Sequence, residues 1–141
     1  MTIKAVLFDI GGVLFQIHDL TPHRQWATRL GISEGLLIEI IFNNPVAQQA
    51  TVGEATTEEV WNEVAKRLAL PPDDLEALKV DIWKGGVWDT ELLDFIRSLR
   101  PQYKTGAISN AWPDAREGVK EYVNSDIFDV IVFSAEEGLK K

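Results

Sequence analysis

The stretch "AVLFDIGGVLF", Ala5 to Phe15, decides how the chain reads. A short apolar run, Ile3 to Phe8, meets a single aspartate, Asp9, and then two glycines, Gly11 and Gly12. A run of that length, rich in β-formers and stopped by Asp-x-Gly-Gly, predicts a strand. Its near-continuous apolarity predicts a parallel strand covered on both faces. Asp9 then sits at the strand's end beside low-dielectric core, where the glycines let a ligand approach the backbone.

Outward from that strand the pattern is helical for a long way. Thr21-Pro22 predicts an N-cap with proline at the first helical position, closed by Gly31. Ser33 caps a second helix to about Phe42, and Asn43-Asn44-Pro45 breaks the chain. Thr56 and Glu59 form a capping box before Val60, Val64 and Leu68. Pro71-Pro72 ends that helix, and Asp73 or Asp74 starts another to about Trp83. Gly85-Gly86 reads as a flexible joint. Beyond it the pattern alternates. Asp89 to Leu99 predicts an amphipathic helix with Leu92, Ile96 and Leu99 on one face. Tyr103 to Ser109 predicts a strand, Pro113 to Val123 a helix, and Val130 to Phe133 a third strand. Alternating strands and helices predict an α/β fold with a parallel sheet. The four consecutive helices read as an inserted α-helical cap.

The composition narrows the function. The chain has 141 residues, 45% of them hydrophobic, and no cysteine. That excludes disulfides, thiolate metal sites and a cysteine nucleophile, and suits a cytoplasmic protein. The formal charge of −8 argues against nucleic acid as the main partner. No window approaches the ~20 apolar residues of a membrane helix, and the N-terminus carries no signal-peptide pattern.

In open α/β sheets ligands bind beyond the carboxyl ends of the strands. Three such ends are readable: Asp9 with Gly11 and Gly12, then Ser109 with Asn110, then Ser134 followed by "AEEGLKK". Each has an ordinary reading alone. An aspartate at a strand end is often a turn former, Ser-Asn an ordinary loop opening, and Lys140-Lys141 a solvated tail. Their order and spacing together point to one site.

"LFDIGGVL", "AISNAW" and "SAEEGLKK", placed around a helical insertion, resemble the haloacid dehalogenase-like (HAD) hydrolase superfamily, in the branch with a C1-type helical cap. The resemblance implies a three-layer Rossmann-like core of residues 1–15 and 87–141, with about three strands present, and a cap of residues 16–86. It implies that Asp9 is the nucleophile of a phosphatase, passing through an aspartyl-phosphate. It gives Asp9 and the Gly11 backbone carbonyl to Mg²⁺, and Ser109, Asn110 and Gly12 to the phosphate of a small phosphorylated substrate. Lys141, with Lys140 in reserve, would neutralise charge between nucleophile and phosphate.

The sequence departs from that pattern twice. Gly11 stands where phosphatases of the family usually have a second aspartate, so the general acid–base group is missing there. His18 and Asp19 lie just downstream, but an ordinary linker role suits them better. The chain also reaches Lys141 before a fourth, acidic motif. The resemblance therefore implies a truncated chain with a thin Mg²⁺ site and impaired activity. It also implies an exposed edge on the first strand, open to a homodimer or to strand exchange. A non-catalytic HAD-fold binding module and a metal-independent dehalogenase stay open as alternatives.

Overall fold

A computed structural model describes residues 2–141. The element order is β1 (Ala5–Asp9), β2 (Phe15–Ile17), α1 (Thr21–Leu30), α2 (Glu34–Phe42), α3 (Pro45–Thr51), α4 (Thr57–Leu68), α5 (Pro72–Asp81), β3 (Gly86–Trp88), α6 (Thr90–Ser98), β4 (Lys104–Ser109), α7 (Ala115–Val119), β5 (Val130–Phe133) and α8 (Ser134–Glu137). Strands β1, β4 and β5 form a parallel sheet in that spatial order, and β2 pairs with β3 in a separate two-stranded ribbon. The fold is α/β, and among the described residues no helix is long and apolar enough to cross a membrane.

The buried apolar side chains fall into two clusters. One is built by α1 to α5, with Leu37, Ile41, Val60, Val64 and Leu78 at its centre. The other joins the sheet to α6 and the segment after α7, around Leu14, Ile96, Phe128 and Phe133. The ribbon carries the chain out to the helices and back, pairing Phe15 with Trp88 and Ile17 with Gly86. The expected joint at Gly85-Gly86 is therefore a packed strand start. A Cβ on Gly85 would lie 1.9 Å from the Asp19 carbonyl oxygen, and one on Gly86 would meet the Phe15 ring. These glycines are there for close approach rather than for freedom.

Local chemistry explains other differences from the sequence reading. Asn43-Asn44-Pro45 does not only break the chain. Buried Asn44 accepts the Ala47 N–H at 2.9 Å and donates to the Ile40 and Ile41 carbonyls, so it caps the start of α3 and the end of α2 together. The helical unit thus has five helices. Thr21 is not the N-cap of α1. Leu20 is, while the Asp19 carboxylate accepts the Thr21 N–H at 2.9 Å. The Thr21 hydroxyl, and then this N–H, hold Asp19 below the usual carboxylate range. The helix expected over Pro113 to Val123 forms only as α7, five residues long, with Gly118 inside it. The α6 face that packs inward centres on Leu93 and Ile96.

Strand β1 is not covered on both faces. It pairs only with β4 among the described residues, and Ile3 and Leu7 are 69% and 66% exposed. An apolar strand with a free edge is a template for another strand. The 141-residue chain is expected to self-associate, its light-scattering mass rising with concentration and Leu7→Lys suppressing the rise. A mass that stays monomeric at every concentration would contradict this.

His23, on α1, is 4% exposed, and its Nδ1 has no hydrogen-bond partner among the described residues. Burial pushes its pKa down, and Glu34 pulls partly back. The unfolded chain, titrating near 6.5, then takes up the proton first. Stability is full above that pH and falls as the pH drops towards the lower folded value. Melting temperatures measured from about pH 7 to 5 are expected to decline, with a shallower slope in His23→Gln. Equal slopes in both proteins would refute the assignment.

Candidate active site

Because β1, β4 and β5 are parallel and in register, their carboxyl ends lie side by side. Asp9 is opposite Ile108, and Ser109 opposite Phe133. That register places the three predicted strand ends along one edge of the sheet.

The turn after β1 opens the space above Asp9. Gly12 has φ +78° and donates its N–H to the Phe15 carbonyl at 2.8 Å. A Cβ on Gly11 or Gly12 would meet nothing within 4 Å. One Asp9 carboxylate oxygen accepts the Ile10 N–H at 2.8 Å, and the other pairs with the Lys141 ammonium. Both side chains of that pair are more than a third exposed, so it adds little to stability. Its consequence is a cation set against a carboxylate at the mouth of the site.

Lys141 gets there by a reversal of the chain. Helix α8 is one turn long, and Gly138 ends it in the left-handed conformation at φ 71°. The Arg116 guanidinium grips Glu136 with two bonds, at 2.7 and 2.6 Å, fixing α8 and holding Glu136 below the usual carboxylate range. The Ser134 hydroxyl accepts the Ala111 N–H at 2.9 Å, tying the loop after β4 to the start of α8. Residues after Gly138 then turn back, and the Lys141 N–H donates to Asn110 Oδ1 at 2.9 Å. Lys140 points elsewhere, donating to Gln48 Oε1 on α3 at 3.0 Å. Ser109 is buried, and its hydroxyl donates to the Asn110 carbonyl at 3.3 Å.

Of the predicted residues, Asp9, Gly11, Gly12, Ser109, Asn110 and Lys141 thus share one edge, while Lys140 bridges to the helices. His18 and Asp19 lie between β2 and α1, with their N–H groups on the Gly85 carbonyl, and are not among the residues lining the cavity over the strand ends. Among the described residues no group of three His, Cys, Asp or Glu side chains is placed to hold a metal. The donors near Asp9 are hard oxygens, its carboxylate and the Gly11 carbonyl. They fit a Mg²⁺ that takes its other ligands from water and phosphate, not one held by protein alone.

A cavity of about 820 Å³ opens over the strand ends, between the sheet and the helices. Ile10, Gly11, Ser109 and Asn110 form its floor. Its walls are aromatic: Phe15 and Trp88 from the ribbon, Phe42 and Trp83 from the helical side, and Trp112 after β4. Phe42 and Trp112 stack at 5.5 Å, and Phe42 meets Trp83 edge-on at 5.7 Å. A smaller hollow of about 340 Å³, lined by Arg100, Tyr103 and Lys104, lies at the other end of β4, away from Asp9. The sequence puts Trp83 at the end of the helix that starts at Asp73 or Asp74. The structure puts it, 47% exposed, on the cavity wall. The signal for this was the pair Trp83 and Trp88 on either side of Gly85-Gly86, both of which meet the Phe15 ring.

No family model matches the chain, and no curated protein matches it. Solved structures do. A HAD family enzyme from Bacteroides thetaiotaomicron, crystallised with magnesium and inorganic phosphate, aligns with a TM-score of 0.75 at 21% identity over 99% of this chain and 73% of its own. A predicted HAD-like family hydrolase from Porphyromonas gingivalis aligns at 0.70 and 22%, over 99% and 70%. A 2-haloacid dehalogenase from Pseudomonas syringae pv. Tomato DC3000 aligns at 0.50 and 17%, over 99% and 67%. The fold of this chain is therefore the Rossmann-like fold of the HAD enzymes.

The helical unit also comes close to α8 at Gly53. Gly53, after α3, has φ +77°, and a Cβ there would lie 2.3 Å from the Ala135 carbonyl oxygen. Gly53→Ala should lower stability by about 1–3 kcal/mol from backbone strain alone, read as a reduced melting temperature. An unchanged melt would show that this contact does not fix the two units.

Proposed function

We propose that the protein is a HAD-like phosphatase of a small phosphorylated substrate, using Asp9 as nucleophile. What carries the reading is the Asp9–Lys141 pair at the end of β1, next to Gly11, Ser109 and Asn110, which line the cavity although the pair itself does not. The HAD fold and a neighbour crystallised with magnesium and phosphate support it. Residues 1–15 and 87–141 are assigned to the core and 16–86 to a cap, with boundaries in the β2–β3 ribbon. The setting we propose is cytoplasmic.

In this mechanism an Asp9 carboxylate oxygen attacks phosphorus, and the bond from phosphorus to the leaving oxygen breaks. Lys141 offsets the charge of two anions brought together, and the Ser109 hydroxyl turns to a phosphoryl oxygen. Water then attacks phosphorus, releasing phosphate and restoring the carboxylate. Gly11 supplies no proton, so the leaving oxygen takes one from water in the cavity. Such a site favours good leaving groups. Mg²⁺, held by Asp9 and the Gly11 carbonyl, would neutralise phosphate charge.

The test is Mg²⁺-dependent hydrolysis of a panel of small phosphoesters that includes p-nitrophenyl phosphate. Asp9→Asn is expected to fall to the buffer rate, and Lys141→Ala to lose about 10²–10³-fold. Folded protein without turnover would favour a non-catalytic binding module, and metal-independent halide release a dehalogenase.

A further inference from the structure

The polar side chains on the cavity wall already make hydrogen bonds within the protein. Asn43 donates through Nδ2 to Glu39 at 2.8 Å and accepts through Oδ1 from Gln48 at 3.5 Å. Gln48 uses its remaining oxygen for Lys140. The Thr51 hydroxyl donates to the Ala47 carbonyl at 2.9 Å. Asp114 accepts from the Thr57 hydroxyl at 2.7 Å. Lys140 and Asp114 are the charged side chains of the lining, one of each sign, and each is hydrogen-bonded to a neutral side chain, Gln48 and Thr57. Above the floor, the surface left for a ligand is therefore the aromatic faces and edges.

We infer that the cavity takes, as the leaving group of a phosphomonoester, a flat aromatic group. The phosphate half of this inference rests on the phosphatase reading above, but the aromatic half does not. A hydroxyl-rich sugar would lose its water bonds on entering and find few partners, which costs free energy. A second phosphate or carboxylate would meet one cation in the lining, Lys140, with the Asp114 carboxylate in the same lining to oppose it. A flat ring can stack or meet edges among Phe42, Trp83 and Trp112, and about 820 Å³ holds a bicyclic ring with its phosphate. A bicyclic leaving oxygen also departs easily as a phenolate, which suits a site without an acid at Gly11.

The test uses two independent readouts. Binding of 2-naphthol alone, by fluorescence anisotropy, reports the wall without catalysis. Turnover compares 2-naphthyl phosphate with a hexose 6-phosphate and with phosphocholine. The inference expects 2-naphthol to bind the wild type and to bind Trp83→Ala roughly tenfold more weakly. Trp112→Phe, which keeps a ring, should bind it nearly as well. It also expects kcat/KM for the naphthyl ester to exceed both others by at least about tenfold. If 2-naphthol binds and Trp83→Ala loses it while no phosphoester turns over, the phosphatase reading fails and the aromatic site stands. A preference for the hexose ester or phosphocholine overturns the inference and leaves the phosphatase reading intact. Absent or Trp83-independent binding of 2-naphthol also overturns it.

Discussion

The rest of the structure depends on the parallel pairing of β1, β4 and β5. Backbone hydrogen bonds between these strands fix their register, and the register alone decides that Asp9, Ser109 and Ser134 end along one edge. No side chain of the site has to find its neighbours by itself. The helical unit is a second consequence. It leaves and re-enters through a ribbon whose strands are locked side by side. Its lower face is thereby held over the strand ends, and the space between becomes the cavity.

The short C-terminal reversal adds the cation. Three local devices cooperate there: the left-handed Gly138, the Arg116–Glu136 fork and the Ser134–Ala111 tie. Together they bring Lys141 to Asp9 and send Lys140 to the opposite wall. Two adjacent lysines thus have different surroundings, one over the carboxylate and one bridging to α3. The exposure of the Asp9–Lys141 pair means that the arrangement contributes little to folding, so its chemistry must be judged on function.

Much of this was legible in the sequence, and the reasons are local. Strand β1 showed itself by its apolar run and Asp-x-Gly-Gly, and α4 by its capping box, which the structure contains in both directions. The parallel α/β class followed from alternation. What was not legible depended on contacts distant in sequence. Covering of β1 was read from apolarity, yet coverage depends on which strands lie beside it. Gly85-Gly86 looked flexible because nothing in sequence says that Asp19 and Phe15 crowd it. Asn44 looked like a breaker because its side chain serves two helices at once. The three strand ends and both lysines were readable as candidates. The rest of the aromatic wall beside Trp112 was not, since Phe15, Phe42, Trp83 and Trp88 come together only once the ribbon and cap are folded.

The central claim is that Asp9 carries a covalent phosphoryl group during turnover. Borohydride added while a phosphoester is being hydrolysed reduces an acyl phosphate, and the protein can then be digested and its peptides weighed. The account predicts homoserine in place of aspartate at Asp9, dependent on substrate. Continued release of phosphate with Asp9 unmodified, or modification at another carboxylate, would contradict it.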